Sequence, residues 1–586
     1  MPNHEPHPPP RGFALRSVLL VLSFLLGLTL APSARAQDLP DQPSTPDDLP
    51  GVVAIDLEDD LSDAELDTLS KEVAVSLEPS SVLTARTRLY RVTVPLGRVA
   101  SLIAKLRGDN RVEYVEPVAK VYARWIPDDP LLEQQWHMQR VGAPTAWQYA
   151  TGRGVTVAVV DTGIACEDRD PFTKGSDLAD TWCRTGFNFV NNTPYANDDN
   201  GHGTHVAGTI AQSTNNHLGA TGLAFRARLL PVKVLSAQGW GTTVGVADGI
   251  RFAADAGAHV INLSLGGSRA SRIMLEAIRY ARSKGVIVVA AAGNNGHKVE
   301  YPGAFDGVVA VSATDSNDKL ARFSSRGPEV DLAAPGVQVL QQTICNGGKD
   351  RCERFSPLSG TSMASPHVAG AAALLMSVGV TDADRVESML KSAAVLPKGE
   401  KRGGPRFGQG ILDVGSAVST TVWVQAITRF VLVFMLTGLA VRHIRRKKGI
   451  VRPWRPGFLL AALAFGPGLL CLAPLITSRV PLAVDLLARP IPEWDLLLGV
   501  SVHRWLTLAH FFVPLAFSAV LFSFKRARPF IAGVAIGTAA YLVSIPLLEL
   551  TTSDLRSRGL LALWALINVA GCLWLAVLNL DERESA

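Results

Sequence analysis

The chain has 586 residues, of which 47% are hydrophobic and 19% charged, with six cysteines and a net charge of +5. At about 100 to 200 residues per domain this is several folding units, and the apolar content excludes collagen-like, disordered and disulfide-framework classes. From residue 421 onward 17 basic side chains stand against 8 acidic ones, so the positive excess sits in a tail where apolar runs alternate with Lys/Arg clusters, the pattern of a membrane protein and not of a nucleic-acid binder.

In chain order, Arg11 and Arg16 precede an apolar run from Ser17 to Ala31, and Ala34-Arg35-Ala36 follows. This predicts a signal peptide over 1–36, cut after Ala36, with an uncleaved anchor helix as the alternative. Residues 37–50, rich in Asp and Pro, predict a flexible leader. Over 51–124 the pattern gives strand Val52–Leu57, helix Asp63–Val73, strand Leu89–Val94, helix Gly97–Arg107 and strand Val112–Tyr122, a small α+β unit. Over 125–420, strand-like runs at Val155–Val160, Leu229–Leu235, Val260–Leu265, Val286–Ala291 and Val308–Ala313 alternate with helical patterns. Such alternation predicts an α/β domain with a doubly wound, mostly parallel sheet.

After Thr421 five apolar stretches, near 422–441, 457–477, 505–524, 530–549 and 560–579, each approach the ~20 residues a bilayer requires. They predict an all-α transmembrane bundle of about five helices over 421–586, against the alternative that some are buried soluble helices. Seven Lys/Arg lie between Arg442 and Arg455 and three between Lys525 and Arg528, against three in 478–504 and two in 550–559. That asymmetry predicts a multi-pass protein with the basic clusters and the C-terminus in the cytoplasm, and the α/β domain periplasmic or extracellular. Arg429 and His510 fall inside spans, where ionisable groups are costly; a functional role competes there with snorkelling or helix packing.

Cys166 and Cys183 are 17 residues apart and Cys345 and Cys352 are 7 apart. Export favours two sequence-local disulfides among them, with other pairings or buried thiols as alternatives. No spacing suits zinc.

Three segments of the α/β region carry an Asp, a His and a Ser: VAVVDTGI, with Asp161 at a strand end; DDNGHGTHVAGTI, with His202 before a small-residue helix; and SGTSMASPHVAG, with Ser362 opening another helix. At the C-terminal edge of a parallel sheet such residues can converge on one crevice. From about Asp129 to Val418 the sequence resembles the subtilisin-like serine peptidases, whose motif order is Asp, His, Ser. The resemblance implies a Ser362 nucleophile, a His202 base and an Asp161 that orients it, with a peptide as substrate. In VVAAAGNNG it assigns the second oxyanion donor to Asn294, with Asn295 the competing choice. His205 and His367 read as structural histidines.

The same resemblance implies that an extended peptide adds a strand between Gly239-Trp240-Gly241 and Ser264-Leu265-Gly266. The pocket for the residue before the scissile bond is expected between Leu265–Gly267, Ala291–Gly293, including Ala292, and Tyr301–Gly303. No charged residue sits in these segments, which predicts a preference for large apolar or aromatic side chains. A structural calcium is implied at Asp129, Asp177, Asn216 and the carbonyls of Thr214, Leu218 and Ala220, with Asp168 or Asp170 able to replace Asp177. The 51–124 unit, ending in VEYVEPVAKVYARW, looks like a ferredoxin-like subtilisin propeptide, which would inhibit the enzyme intramolecularly and be cut off near Tyr122 to Pro127. A permanent accessory domain is the alternative. Membrane lipid, and a membrane-protein partner for the tail, complete the expected contacts.

Overall fold

A computed structural model describes residues 48–119, 126–453, 455–468, 489–500, 502–503, 510–550 and 555–581. The predicted signal peptide, nearly all of the leader and the 120–125 junction lie outside the described residues. The chain divides into two compact units, Met1–Tyr122 and Ala123–Ala586.

In the first unit, strands β1 (Asp48–Leu57), β2 (Glu78–Pro79), β3 (Leu89–Thr93) and β4 (Val112–Ala119) form an antiparallel sheet in the order β2-β3-β1-β4. Helices α1 (Asp63–Val73) and α2 (Leu96–Leu106) connect them. The alternation Val53, Ile55, Leu57 puts one face of β1 into the core with Leu69, Leu102 and Leu106, as the two-residue period of a strand requires. Ser62 starts α1 through a reciprocal capping box with Glu65, satisfying two otherwise orphaned amides.

The second unit is built on a seven-stranded parallel sheet. Its strands are β5 (Thr156–Asp161), β6 (Phe187–Asn188), β7 (Arg228–Lys233), β8 (Val260–Leu263), β9 (Ile287–Ala291), β10 (Val308–Thr314) and β11 (Val330–Pro335), in the order β11-β10-β9-β8-β5-β7-β6. All six residues of β5 are buried, as expected of a central strand covered on both faces. One layer holds helix α3 (His202–Ala211), and α4 (Thr243–Asp255) and α5 (Arg272–Ser283) pack on the opposite face. A hairpin of β12 (Val339–Gln342) and β13 (Phe355–Leu358) precedes helix α6 (Thr361–Ser377), which joins the α3 side; α7 (Ala383–Ala393) follows. Nearly every α6 residue is buried, and its Ala/Gly run lets it pass through the core. The strand order reverses at β5, so the C-terminal ends of β5, β7 and β8 open onto one crevice.

Disulfides join Cys166 to Cys183 and Cys345 to Cys352, the sequence-local pairing expected. Cys572 is a buried free thiol.

The tail begins inside the α/β domain. Helix α8 (Val414–Arg446) is 33 residues long, about 50 Å against a hydrocarbon core of ~30 Å. Its first turns belong to the α/β core through Val414, Ala417, Val418 and Val422. The boundary expected at 420/421 therefore falls inside a helix. Three helices, α8, α11 (Arg528–Leu547) and α12 (Leu555–Leu580), are long and apolar enough to cross a membrane. The other two apolar stretches hold the ten-residue helices α9 (Pro456–Phe465) and α10 (Phe512–Leu521), with the rest of each partly outside the described residues.

Segment 489–500 seats on the α/β domain. Leu496 and Val500 enter its core with Leu550. Gly154, at φ +86°, lies so close to Leu496 that a Cβ there would stand 2.0 Å from the Leu496 carbonyl oxygen; only glycine meets both conditions. Arg429 does not snorkel. It pairs with Glu493 at 2.7 Å, both nearly fully buried, and donates from Nε to Ser544 Oγ at 3.0 Å.

Candidate active site

Asp161 ends β5, fully buried, and accepts from the Thr162 amide at 2.7 Å. His202 opens α3, and its Nδ1 lies 2.7 Å from Asp161 Oδ1. Burial works against an imidazolium at His202, but the charge and hydrogen bond of Asp161, with Asp198 behind, raise it above its ordinary value. Two groups missed from sequence hold the pair in place. Asp198 accepts from Thr162 Oγ1, from the amides of Asn200 and Gly201, and from Thr204. Lys233, buried at the end of β7, donates to the Thr162 and Leu235 carbonyls and to Asp199. Their signal was present as DDNGH and as a lysine ending an apolar strand, but each reads alone as a surface polar residue.

Ser362 is the second residue of α6. Its Oγ donates to the Ser264 carbonyl at 3.3 Å, and catalytic hydrogen bonds of this kind commonly tighten or re-form when substrate binds. Ser264 ties the turn together: its Oγ donates to Ser362 O at 2.8 Å and lies 2.9 Å from Ser365 Oγ and from Asn262 Nδ2. At the start of a helix the amides of the first turn have no intrahelical partner, and they face the crevice with the positive end of the helix dipole.

Asn294 and Asn295 separate by their bonds. The Thr361 amide can only donate, and it donates to Asn294 Oδ1 at 2.8 Å, as does Thr361 Oγ1 at 2.9 Å. The carboxamide is thereby oriented with Nδ2 free as a donor beside the Gly360–Ser362 turn. Asn295 is occupied instead, donating to Glu300 and accepting from the His297 amide and Ser325 Oγ. His205 lies between the Val339 and Ser356 carbonyls, and His367 between Met363 O and His137. Burial lowers both to about 4, which keeps them neutral structural groups.

The two expected substrate edges both follow strand ends. Gly239-Trp240-Gly241 lies after β7 in an exposed turn, with Trp240 O accepting from Ser236 N, and Ser264-Leu265-Gly266-Gly267 follows β8. Ala292 and Gly293 are buried after β9. A charged side chain, Glu300, stands against these segments, because the chain folds back beside them. The Glu300 amide donates to Ala292 O, and Tyr301 and Gly267 exchange backbone hydrogen bonds. A Cβ on Gly266 would stand 2.7 Å from Glu300 Oε2, and one on Gly293 2.8 Å from its Cδ. The carboxylate thus stands against both Gly266 and Gly293.

Asp177, not Asp168 or Asp170, faces the 214–220 loop. It accepts from Asn216 Nδ2 at 2.9 Å and from the Ala220 amide at 3.0 Å, whereas Asp168 caps the Lys174 amide. Asp129 accepts from the Asn215 amide at 2.8 Å, and its buried Oδ1 has no partner. Thr214 Oγ1 bonds to Gln212 O and Gly222 N, and Asn216 Oδ1 caps Leu218 N. Burial pushes Asp129 up to about 6 and Asp177 to about 7. An orphaned carboxylate oxygen beside a second buried carboxylate and a loop of hard oxygen donors fits calcium. Among the described residues no three His, Cys, Asp or Glu converge on a metal position, so carbonyls and Asn216 would supply most ligands.

Comparison with known proteins agrees with this geometry. Residues 152–411 match the Subtilase family. Thermitase of Thermoactinomyces vulgaris is 41% identical over 272 residues, covering 46% of this chain and 92% of that protein. The thermophilic serine proteinase of Bacillus sp. (strain AK1) is 38% identical over 332 residues, 56% of this chain and 78% of that protein. Subtilisin Savinase of Lederbergia lenta is 46% identical over 242 residues, 41% and 83% respectively. The chain belongs to the subtilase family and is a subtilisin-like serine protease.

Proposed function

We propose that the protein is a membrane-tethered serine endopeptidase, made as a self-processing zymogen and acting on the non-cytoplasmic side through Asp161, His202 and Ser362. The observation that carries this is the 2.7 Å Asp161–His202 bond at the strand edge that also presents Ser362 on its helix start. Ser362 Oγ attacks the scissile carbonyl as His202 Nε2 takes its proton; His202 returns it to the leaving amine, and water then hydrolyses the acyl-enzyme by the same route. Asp161 orients the imidazole and stabilises its charged form. The Ser362 amide and Asn294 Nδ2 stabilise the tetrahedral oxyanion. The calcium loop, when filled, would be held by Asp129, Asp177, Asn216 and the carbonyls of Thr214, Leu218 and Ala220, and would neutralise two buried carboxylates. The 51–124 unit serves as propeptide, and 421–586 as a membrane domain of about five helices whose C-terminus is cytoplasmic. A fluorophosphonate probe should label Ser362 in the full chain and fail to label Ser362→Ala; label on another serine would refute the assignment.

A second reading, in which the membrane half also acts on the protease, is favoured by one contact. Arg489 Nη1 donates to Ser377 O at 2.5 Å, capping the C-terminus of the helix whose N-terminus carries Ser362.

A further inference from the structure

The geometry points to Glu300 as the residue that makes this protease select Lys or Arg immediately before the scissile bond. The inference rests on the reading of the Ser362 crevice as the active site and deepens it. Glu300 is fixed by its backbone: its amide donates to Ala292 O at 2.9 Å, its carbonyl accepts from the Ala304 amide at 3.0 Å, and the next residue pairs with Gly267 in both directions. Those bonds anchor it to the two glycine-containing walls, so its side chain is aimed by main-chain geometry and not by a mobile loop. Only one carboxylate oxygen is engaged, Oε1 by Asn295 Nδ2 at 2.8 Å. The other lies where a side chain at Gly266 would be, 2.7 Å from the ideal Cβ. Among the described residues Glu300 forms no ion pair. A half-buried acceptor without a cation, between two walls that lack side chains, suits a long aliphatic stem ending in an ammonium or guanidinium. An apolar guest would instead desolvate that charge without compensating it. The junction between the two units offers such residues: Lys120 and Arg124 occur in AKVYARW.

The test uses the full chain in detergent with peptide substrates identical except for Lys, Arg, Leu, Phe or Ala before the cleaved bond. Lys and Arg substrates should exceed Leu and Phe in kcat/KM by about 10², and Glu300→Gln should reduce that ratio by a similar factor, the scale on which losing one partner of a desolvated charge pair acts. Raised salt should weaken the preference. Leu, Phe or Ala best in the unsubstituted protein, or a Lys-to-Leu ratio unchanged in Glu300→Gln, would overturn the inference; fluorophosphonate labelling of Ser362 shows that the variant is folded. Should Glu300→Gln fail to fold, the substrate profile of the unsubstituted protein decides alone. If no substrate is cleaved and Ser362 takes no label, it is the active-site reading that has failed.

Discussion

The Asp161–His202 bond sets which proton form the site holds. Because Asp161 raises His202 above its ordinary 6.5, the neutral base appears only as pH climbs through that higher value, and the acid limb of kcat/KM should lie above 6.5. Asp161→Asn removes the charge, so the limb should move down while the rate falls by about 10⁴; a pH profile whose limb stays in place would count against the assignment. Asn294→Ala should lower kcat by about 10² to 10³ with little change in KM, the scale found for an oxyanion donor in subtilisin. A rise in KM at unchanged kcat would mean that Asn294 binds ground state and transition state alike. Asp161, His202 and Ser362 were legible because each stands in a long run of small residues whose order is informative. The exclusion of Asn295 was not, since it depends on the Thr361 amide, 67 residues away. Glu300 was hidden for the same reason: nothing in HKVEYPG shows that the chain folds back under Gly266 and Gly293.

At the scale of elements, the expected strands β5, β7, β8, β9 and β10 agree with the pattern to within a few residues, because each is a short apolar run between turn residues, whereas the two-residue β6 (Phe187–Asn188) carries no such pattern. The extent of α8 was not legible: helical periodicity does not mark where protein packing gives way to an apolar solvent. The 214–220 loop, with Asp129 and Asp177, gives a prediction whose sign follows from burial. Asp129 and Asp177 move from 3.8 to about 6 and 7 on folding, so the folded state holds these protons more tightly than the unfolded one, and the resulting stability is lost as pH rises through 6 and 7. With a chelator present Tm should fall between about pH 4 and 7, and calcium should restore it above pH 7, where both carboxylates are charged. A Tm profile indifferent to calcium would remove the loop as a cation site. The propeptide reading is tested by Ser362→Ala, which should retain the 51–124 unit when expressed without related proteases, while the unsubstituted chain should begin between Tyr122 and Pro127. Normal processing of the variant would exclude self-cleavage.

Across the whole molecule, the tail from α8 onward completes the protease fold. Leu496, Val500 and Leu550 are buried in the same core as Val157 and Leu374, Arg489 caps α6 at Ser377, and Gln425 on α8 donates to Val378 O at 3.2 Å. A chain ending at Thr421 would lose all five side chains and expose the apolar surface they cover. Arg489→Ala removes one bond and leaves a buried carbonyl unsatisfied, a loss of about 1 to 3 kcal/mol. The truncated chain loses in addition three buried aliphatic side chains, each worth about 1.5 to 3 kcal/mol. Thermal unfolding in detergent should therefore rank full chain, Arg489→Ala and truncation in descending Tm. Because α6 carries Ser362 at one end and the Arg489 contact at the other, the variant should also show a lower kcat before its KM changes. A truncated protein as stable and as active as the full chain would show that the tail is not part of the protease fold.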